Sequence, residues 1–505
     1  MEKRQQYIGA IDQGTTSTRF ILFNQKGELA ASHQLEHKQI FPKPGWVEHN
    51  PMEIWDNTVI VIRETLEKSG VTADQISGIG ITNQRETVVA WDPKTGKPYY
   101  NAIVWQDLRG KPFIDELIKE MGIDGLREKT GLPLSPYFAG SKIRWMLDNV
   151  EGLREKASQG NVMFGTMDTW LIWNLTGGIS NGIFITDFTN ASRYQLMDLE
   201  NLCWDKDLLT LYTVPEISLP EIKPSMGMIY GYTDTNILEG GKVPLCGILG
   251  DQQSALFGQA CFSEGMAKNT YGTGCFLLVN TGIKPYKSTQ GLLTTAAYHK
   301  AGESPKYALE GSIAVAGSLV QWVRDNLGLV KTAPELDILA ESVEDNGGVY
   351  FVPAFSGLFA PYWRSDARGV IAGLTGFANS GHIARAVLEA TAYQAYDIFG
   401  AVEKDSGIKL SELRVDGGLT NSRLLMQFQS DMLNIPVIRP AVKETTALGA
   451  AYAAGLSTGF WESEEELGRQ WREDLRWVPG MAEQERAALL KNWHKAVERT
   501  LNWSE

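Results

Sequence analysis

Two glycine-rich turns have the composition of a phosphate clamp. The first is Asp12–Thr18 (DQGTTST) and the second is Tyr271–Cys275 (YGTGC). Glycine lets backbone N–H groups come close to an anion, and hydroxyl side chains add further donors. Either turn by itself is more typical of an ordinary hairpin, because each lies between strand-like segments. Their common context along the chain favours a phosphate site.

Two aspartates have positions that suit phosphoryl transfer, which needs neutralised phosphate charge and sometimes a proton acceptor. Asp12 ends a predicted strand beside the first turn, where it would hold a phosphate-bound Mg²⁺ directly or through water. A turn cap is an equally good interpretation of Asp12. Asp251 follows the apolar strand Pro244–Leu249 and opens a helix, so it is either a catalytic carboxylate or a plain N-cap. Taken alone it favours the cap, although Gln252 and Gln253 beside it would suit a polyol.

A polar cluster and two aromatic residues would suit a polyol pocket. The segment Asn83–Glu86 (NQRE) follows an apolar strand, and ligands usually bind at the carboxyl ends of strands in open α/β sheets. Arg85 and Glu86 place a donor beside an acceptor, as two neighbouring hydroxyls require, and a loop ion pair is the alternative. Trp105 and Tyr137 would cover the carbon face of a small polyol, although such residues more often lie in a core.

The elements that must position these residues occur twice. Each half of the chain is predicted to contain three strands, then a helix, then a strand. In the first half these are Tyr7–Ile11, Arg19–Phe23, Glu28–His37, Met52–Lys68 and Gly78–Thr82. In the second half they are Met266–Thr270, Cys275–Asn280, Leu292–Tyr298, Ser380–Lys404 and Leu413–Val415. This order predicts two mixed sheets flanked by helices, which face each other across a nucleotide cleft.

Length and composition limit the class of protein. A chain of 505 residues with 43% hydrophobic content should hold two domains, which we place at 1–258 and 259–505. The formal net charge of −13 disfavours nucleic acid, whose binding needs a clustered basic surface. No P-loop or Rossmann glycine motif is present.

No apolar run approaches the ~18–20 residues of a membrane span. We find no signal peptide before the first strand. The four cysteines are widely spaced and show no metal-ligand pattern, which indicates a reducing compartment. We therefore expect a soluble cytoplasmic enzyme.

Six motifs, in order along the chain, resemble those of the FGGY carbohydrate kinases and, within that family, of its glycerol-phosphorylating members. They are Asp12–Arg19, Pro44–His49, Gly80–Thr87, Gly250–Gln253, Asn269–Cys275 and Asp416–Gly418. The run Gln84–Glu86 is more typical of these members than of pentulose kinases. The resemblance implies an actin-like ATPase fold of two ribonuclease-H-like domains. It also implies transfer of the ATP γ-phosphoryl group to glycerol, giving sn-glycerol 3-phosphate, with Mg²⁺.

The resemblance also implies roles for individual residues. Asp251 would be the general base that takes the proton of a glycerol hydroxyl during in-line attack, and Asp12 would serve the Mg²⁺. Glycerol would be bound by Arg85, Glu86, Trp105, Tyr137, Asp251, Gln252 and Phe276. The nucleotide would be bound by Thr15, Thr16, Ser17, Arg19, Thr273, Gly317, Gln321, Gly418 and Asn421. Family members are often dimers or tetramers, so we also expect a homo-oligomer.

Two alternatives stay open. A kinase of another small polyol or of a pentulose would share the fold and the base. A nucleotide-switched interaction protein of the actin or Hsp70 type would share the phosphate turns but would need no polyol pocket. The segment Asn83–Glu86 and Gln252 disfavour that second alternative.

Overall fold

The computed structural model describes residues 5–238 and 241–504. In chain order the strands are β1 Tyr7–Gln13, β2 Ser17–Phe23, β3 Leu29–Glu36, β4 Glu48–His49, β5 Ile76–Asn83, β6 Val88–Trp91, β7 Ala102–Ile103, β8 Met163–Thr166, β9 Ile185–Asp187, β10 Met197–Asp198, β11 Cys203–Trp204, β12 Glu221–Lys223, β13 Gly231–Tyr232, β14 Pro244–Gly250, β15 Ala267–Tyr271, β16 Cys275–Asn280, β17 Leu293–Tyr298, β18 Lys306–Ile313, β19 Tyr350–Val352, β20 Val370–Ala372, β21 Leu413–Asp416, β22 Val437–Pro440 and β23 Glu473–Trp477. The α-helices are α1 Pro51–Ser69, α2 Lys111–Met121, α3 Arg127–Thr130, α4 Ala139–Asn149, α5 Leu153–Ser158, α6 Met167–Leu175, α7 Phe188–Ala191, α8 Lys206–Tyr212, α9 Asp251–Gly258, α10 Gly317–Asp325, α11 Ala333–Glu341, α12 Ser380–Ser406, α13 Arg423–Leu433, α14 Thr445–Thr458, α15 Glu464–Gln470 and α16 Glu483–Glu498.

Two large mixed sheets organise these elements, one in each half of the chain. The first has six strands in the order β13-β14-β5-β1-β2-β3, and the second has seven in the order β17-β18-β16-β15-β21-β22-β23. In both sheets an antiparallel hairpin, β1–β2 or β15–β16, lies beside a parallel strand, β5 or β21. Helix α1 packs on the first sheet and α12 packs on the second. The predicted α/β fold of two mixed sheets flanked by helices is therefore confirmed.

The third strand of the second meander is not the one that the sequence predicts. The predicted segment Leu292–Tyr298 forms β17 at the sheet edge, and β18 lies between it and β16. The pattern missed Lys306–Ile313 because a glutamate and a glycine stand in the middle of that strand, and both residue types are depleted in strands. The buried charge of that glutamate is balanced from the other half of the molecule, which local sequence does not reveal.

Helix α1 shows why the flanking helices form where they do. The Asn50 side chain accepts a hydrogen bond from the Met52 N–H, proline occupies the first turn, and Gly70 ends the helix at φ 69°. These are the standard start and stop signals of a helix. Between them Ile54, Val61 and Ile62 recur on one face and are fully buried in the core of the first sheet.

Helix α14 joins the two halves, because it belongs to the second half in sequence but packs on the first sheet and on α9. It carries mostly alanine and glycine on its buried faces, and so approaches the sheet closely. A Cβ atom on Gly80 of β5 would lie 2.0 Å from the Ala450 carbonyl oxygen. Packing is therefore shared across residue 258, and the division into 1–258 and 259–505 stays a prediction.

In the described part of the chain, no helix combines the length and the apolar character that a membrane crossing requires. All four cysteines are free thiols, and three of them are buried.

Candidate active site

The first glycine-rich turn connects β1 to β2 and presents hydroxyl groups at its tip. The Gly14 N–H donates to the Ser17 carbonyl at 2.9 Å and closes the turn. Thr16 is exposed, whereas Thr15 and Ser17 are half-buried. The predicted turn is therefore present, with polar groups facing outward from the end of a buried hairpin.

Asp12 and Arg19 lie directly opposite each other at the base of this turn. Arg19 forms an ion pair with Glu444, the residue before α14. Burial raises the pKa of Asp12 to about 6, and the nearby carboxylates of Glu444 and Asp251 add to this effect against the influence of Arg19. The positive charge of Arg19 is therefore not sufficient to offset the cost of burying the ionised Asp12 carboxylate.

This environment of Asp12 fits a divalent cation. Among the described residues, none donates a hydrogen bond to its carboxylate, and no group of three or more His, Cys, Asp or Glu side chains is arranged as a metal cage. Mg²⁺ is usually held by one or two carboxylates together with waters and substrate phosphates. A single carboxylate beside the predicted phosphate turn meets that requirement.

The second turn is built against the start of α10. The Thr273 carbonyl accepts hydrogen bonds from the N–H groups of Ala316 (3.1 Å) and Ser318 (3.0 Å), and the Gly317 N–H donates to the Gly272 carbonyl at 3.0 Å. A Cβ atom at Gly317 would lie 2.5 Å from that same carbonyl oxygen. Glycine is therefore required at Gly317 for the turn and the helix to approach each other.

A third turn follows β21 and lies beside the second. Gly417 has φ 92°, and a Cβ atom there would lie 2.4 Å from the Tyr271 carbonyl oxygen. Gly418 is exposed and has open space around it. Asn421, three residues further on, accepts a hydrogen bond from Arg439 at 3.3 Å.

The structure thus groups part of the predicted nucleotide set by direct contact. Thr273 and Gly317 share one surface, Gly418 neighbours it through Gly417 and Tyr271, and Gln321 is exposed one turn into α10. Asn421 lies at the far end of a short 3-10 helix, Gly418–Asn421.

Three aromatic residues connect the first turn to the second. The rings of Trp105 and Tyr137 lie 5.7 Å apart, and those of Trp105 and Phe276 lie 6.5 Å apart, all edge to face. The Trp105 indole N–H also donates to the Thr15 hydroxyl at 3.0 Å. Phe276 follows the second turn directly, so this aromatic cluster spans the space between the two turns.

Asp251 is the first residue of α9, and Gly250 occupies the N-cap position. Its Oδ1 atom accepts a hydrogen bond from the Gln252 N–H at 2.7 Å and lies 3.1 Å from Nε of Arg85. None of the described residues donates to Oδ2. The side chain is 30% exposed, whereas that of Arg85 is 2% exposed. One carboxylate oxygen is therefore fixed and the other is free to accept a proton.

Arg85 and Glu86 lie at the buried floor of the same region and are both held by ion pairs. The two Nη atoms of Arg85 donate to the two carboxylate oxygens of Glu310, at 2.7 and 2.8 Å. The Arg193 Nε donates to Glu86 Oε1 at 2.5 Å. Glu86 has φ 59°, a backbone conformation that is uncommon without glycine and clusters at functional sites.

A buried lysine from the second sheet also reaches the first half. Lys268 donates hydrogen bonds to the Gln252 side-chain oxygen, to the Thr270 hydroxyl at 3.0 Å and to the Phe276 carbonyl at 3.1 Å. Burial lowers the pKa of Lys268 to about 8 against the opposing influence of Asp416 and Asp251. This ammonium fixes Gln252 directly beside Asp251.

Sequence reasoning missed the charged residues that support the site. They are Arg193, Lys268, Glu310 and Glu444. A weak signal exists for two of them, because Lys268 stands in the middle of the predicted strand Met266–Thr270 and Glu310 lies within the observed strand β18. A charge at such a position requires a buried partner, but the spacing does not say which one.

Comparisons with known proteins cover the chain in two parts and as a whole. The model of the FGGY family of carbohydrate kinases, N-terminal domain, matches residues 7–258, and the model of the C-terminal domain of that family matches residues 267–458. The glycerol kinase of Brucella anthropi is 59% identical over 500 residues, covering 99% of this chain and 100% of that protein. The glycerol kinase of Clavibacter michiganensis is 58% identical over 499 residues, covering 99% of this chain and 98% of that protein.

Solved structures give the same result. The crystal structure of Plasmodium falciparum glycerol kinase with ADP superposes with a TM-score of 0.93 and 42% identity, covering 98% of each chain. The xylulose kinase of Rhodospirillum rubrum has a TM-score of 0.85 at 24% identity, covering 98% of this chain and 99% of that one. The latter similarity concerns the fold alone.

Proposed function

The chain belongs to the FGGY family of carbohydrate kinases, and we propose that it transfers the γ-phosphoryl group of ATP to glycerol, forming sn-glycerol 3-phosphate and ADP. The observation that carries this proposal is the identity of 58–59% with proteins named glycerol kinase over essentially their full length. The contacts of Asp251 with Arg85 and Gln252 support the same reaction. A pentulose kinase stays the nearest alternative, and the similarity to xylulose kinases is at the level of the fold.

Asp251 is the general base in this proposal. Its Oδ1 is held by Gln252 and Arg85, and its Oδ2 has no donor among the described residues. A glycerol hydroxyl that donates to Oδ2 would be deprotonated as its oxygen attacks the γ-phosphorus and the bond to the β–γ bridging oxygen breaks. The proton goes to Asp251, and the electron pair of the broken bond goes to ADP.

Glycerol lies between the polar floor and the aromatic cluster. Arg85, Glu86 and Gln252 would contact its hydroxyls from this floor, while the Nη fork of Arg85 stays paired with Glu310. Trp105, Tyr137 and Phe276 would pack on its carbons. The edge-to-face contacts between these rings, at 5.7 and 6.5 Å, support a compact aromatic wall.

The three turns bind the nucleotide in this proposal. Hydroxyl and N–H groups of Thr15, Thr16 and Ser17, with the guanidinium of Arg19, would bind the polyphosphate. Thr273, Gly317, Gln321, Gly418 and Asn421 would contact the remainder. Mg²⁺, when bound, neutralises phosphate charge, and Asp12 would hold it; the raised pKa of the Asp12 carboxyl supports a site that is completed by a cation.

The proposal also includes a cytoplasmic location and a homo-oligomer, a dimer or a tetramer. Four free thiols support a reducing compartment. The resemblance to family members supports the oligomer, and light scattering on the purified chain would measure its mass.

The reaction is tested by ADP release from Mg²⁺-ATP with glycerol, dihydroxyacetone, xylulose, ribulose or no acceptor. We expect turnover to be strongest with glycerol and far weaker without an acceptor, because closure around both substrates excludes water from the γ-phosphate. Turnover strongest with a pentulose would replace the substrate and keep the base. Turnover that is independent of any acceptor would favour a nucleotide-switched interaction protein.

A further inference from the structure

We propose that Glu310, a residue of the second half, is a positioning residue for phosphoryl transfer: it orients Arg85 so that the Asp251 carboxylate stays available as the base. This inference rests on the proposed function and assigns a role to a residue outside the sets proposed to contact glycerol and the nucleotide. It depends on the contacts of Glu310, on the plane of the Arg85 guanidinium and on the balance of buried charge.

Glu310 stands in the middle of β18, where it lies opposite Leu278 on one neighbouring strand and Leu293 on the other. Its side chain is completely buried. Burying a carboxylate without compensation is strongly unfavourable because the charge loses its hydration, so this position requires cationic partners. Burial by itself would raise the pKa of Glu310, but the guanidiniums of Arg193 and Arg85 lower that pKa to about 2. Glu310 is therefore an anion at neutral pH.

The pair between Glu310 and Arg85 is bidentate, with both Nη atoms of Arg85 occupied at 2.7 and 2.8 Å. A fork of two parallel hydrogen bonds fixes the plane of a guanidinium. The Gln253 side-chain oxygen, 3.2 Å from Nη1, supports the same plane. Only the edge that carries Nε is left to face Asp251, at 3.1 Å.

The charges of the two arginines and the two glutamates in the buried floor balance without Asp251. Arg85 and Arg193 supply two positive charges, and Glu86 and Glu310 supply two negative charges. Asp251 therefore need not serve as the counterion of either arginine. If Glu310 were neutral, Arg85 would turn its forked face to Asp251 and engage the oxygen that should accept the substrate proton.

This arrangement also joins the two halves of the molecule. Arg85 follows β5 of the first sheet, and Glu310 belongs to the second sheet, 225 residues away in sequence. Lys268 makes a parallel contact from the second sheet to Gln252. The orientation of Arg85 and Gln252 in the buried floor therefore depends on contact between the halves.

The test compares the wild-type chain with Glu310→Gln, Arg85→Lys and the double variant. We expect Glu310→Gln to lower kcat with glycerol by about tenfold to a hundredfold, since it removes part of a general-base contribution of roughly 10²–10⁴-fold. The KM for ATP should stay within about twofold. Glu412→Gln, which removes the Glu412–Arg414 ion pair outside the site, is the matched control, and we expect it to leave kcat unchanged.

The double variant separates positioning from simple destabilisation. If Glu310 acts through Arg85, the losses in kcat/KM from Glu310→Gln and Arg85→Lys are not additive. The acid limb of the kcat/KM pH profile should also move to lower pH in Glu310→Gln, because the forked face of Arg85 would then turn to Asp251. The other charged groups that face Asp251 are Lys268 and Asp12. Additive losses in the double variant would overturn the inference. An acid limb of Glu310→Gln at the same pH as in the wild type would also overturn it.

Two further measurements keep the outcomes distinct. Should Glu310→Gln fail to fold, Glu310→Asp is the second variant, because it keeps the charge but shortens the side chain. We expect this variant to fold and to have a lower kcat with an unshifted pH profile. A kcat equal to that of the wild type in Glu310→Asp would count against the inference. A wild-type chain that turns over ATP without preference for glycerol would defeat the proposed function itself. A glycerol-specific wild type with a fully active Glu310→Gln would defeat only the role of Glu310.

Discussion

The indole N–H of Trp105 donates a hydrogen bond to the Thr15 hydroxyl at 3.0 Å. Trp105 belongs to the proposed glycerol wall, and Thr15 belongs to the turn that is proposed to bind phosphate. One hydrogen bond therefore connects the two substrate sites within the first half of the chain. The ring of Trp105 would contact glycerol, whereas its N–H group supports the turn proposed to bind phosphate. A substitution that removes only the N–H group should therefore affect the two substrates differently.

Replacing Trp105 by phenylalanine keeps an aromatic wall but removes the donor. We expect Trp105→Phe to raise the KM for ATP by about fivefold, because a net hydrogen bond contributes about 1 kcal/mol, and to change the KM for glycerol by less than about twofold. Trp46→Phe is the control, since no described residue accepts a hydrogen bond from the Trp46 indole. Steady-state kinetics with each substrate varied in turn measures both constants, and an equal rise in the two would contradict this separation.

Substitution of the base should abolish turnover without unfolding the chain. Asp251→Asn keeps the shape and the hydrogen bond to the Gln252 N–H, and loses the proton acceptor. We expect kcat with glycerol to fall by about 10²–10⁴-fold, with an unchanged melting temperature. Asp205→Asn alters the N-cap of α8, outside the site, and should retain full activity. Retained activity in Asp251→Asn would show that this carboxylate only organises the start of α9.

The raised pKa of Asp12 makes a prediction about stability whose sign depends on pH. Because the folded-state pKa is about 6, above the ordinary value of 3.8, the folded chain binds more protons between these values and loses stability as pH rises through 6. Asp12→Asn should therefore raise the free energy of unfolding at pH 7.5 without ligands, on the order of 2 kcal/mol, since one pKa unit corresponds to about 1.4 kcal/mol.

Mg²⁺-ATP should reverse this order, because the cation gives the wild-type carboxylate a partner that asparagine cannot replace. Thermal unfolding of both proteins, with and without Mg²⁺-ATP, measures the difference. A variant that is less stable than the wild type without ligands at pH 7.5 would contradict the interpretation of Asp12 as a carboxylate lacking a cation.

A methyl group at Gly317 should displace the second turn. The added Cβ would lie 2.5 Å from the Gly272 carbonyl oxygen, so the turn and α10 must separate. We expect Gly317→Ala to raise the KM for ATP about tenfold, equivalent to about 1.4 kcal/mol, with little change for glycerol. Gly376→Ala is the control, because a Cβ there meets nothing within 4 Å. Unchanged ATP kinetics in Gly317→Ala would remove this contact from the nucleotide site.

The lowered pKa of Lys268 predicts a second pH dependence of the free energy of unfolding, opposite in sign to that of Asp12. Its folded-state pKa of about 8 lies below the ordinary value of 10.5, so the unfolded chain binds more protons between these values and the stability contributed by Lys268 rises with pH in that window. In urea unfolding, the wild type should gain stability relative to Lys268→Met between pH 8 and 10. Lys111→Met, at an exposed lysine, should show no such trend. A difference that is constant with pH would mean that Lys268 titrates normally.

The sequence alone determined the local parts of the site. Glycine and hydroxyl residues between strand-like segments predicted both hairpin turns, and the order of elements predicted the duplicated α/β fold. The strand before Asp251 and the segment Asn83–Glu86 were recognisable for the same reason. Each turn, strand and helix in this order depends on residues within a few positions of one another, where backbone preferences and side-chain alternation act directly.

Tertiary structure alone decided which distant residues meet. Glu310 pairs with Arg85, Arg193 with Glu86, and Lys268 with Gln252, and spacing along the chain contains no record of these contacts. The same holds for α14, which packs on the first sheet although it lies in sequence between β22 and β23 of the second. It also holds for β18, which the strand pattern missed because of its central glutamate. A buried charge requires a partner because desolvation is costly, but the identity of that partner depends on how the two sheets come together in space.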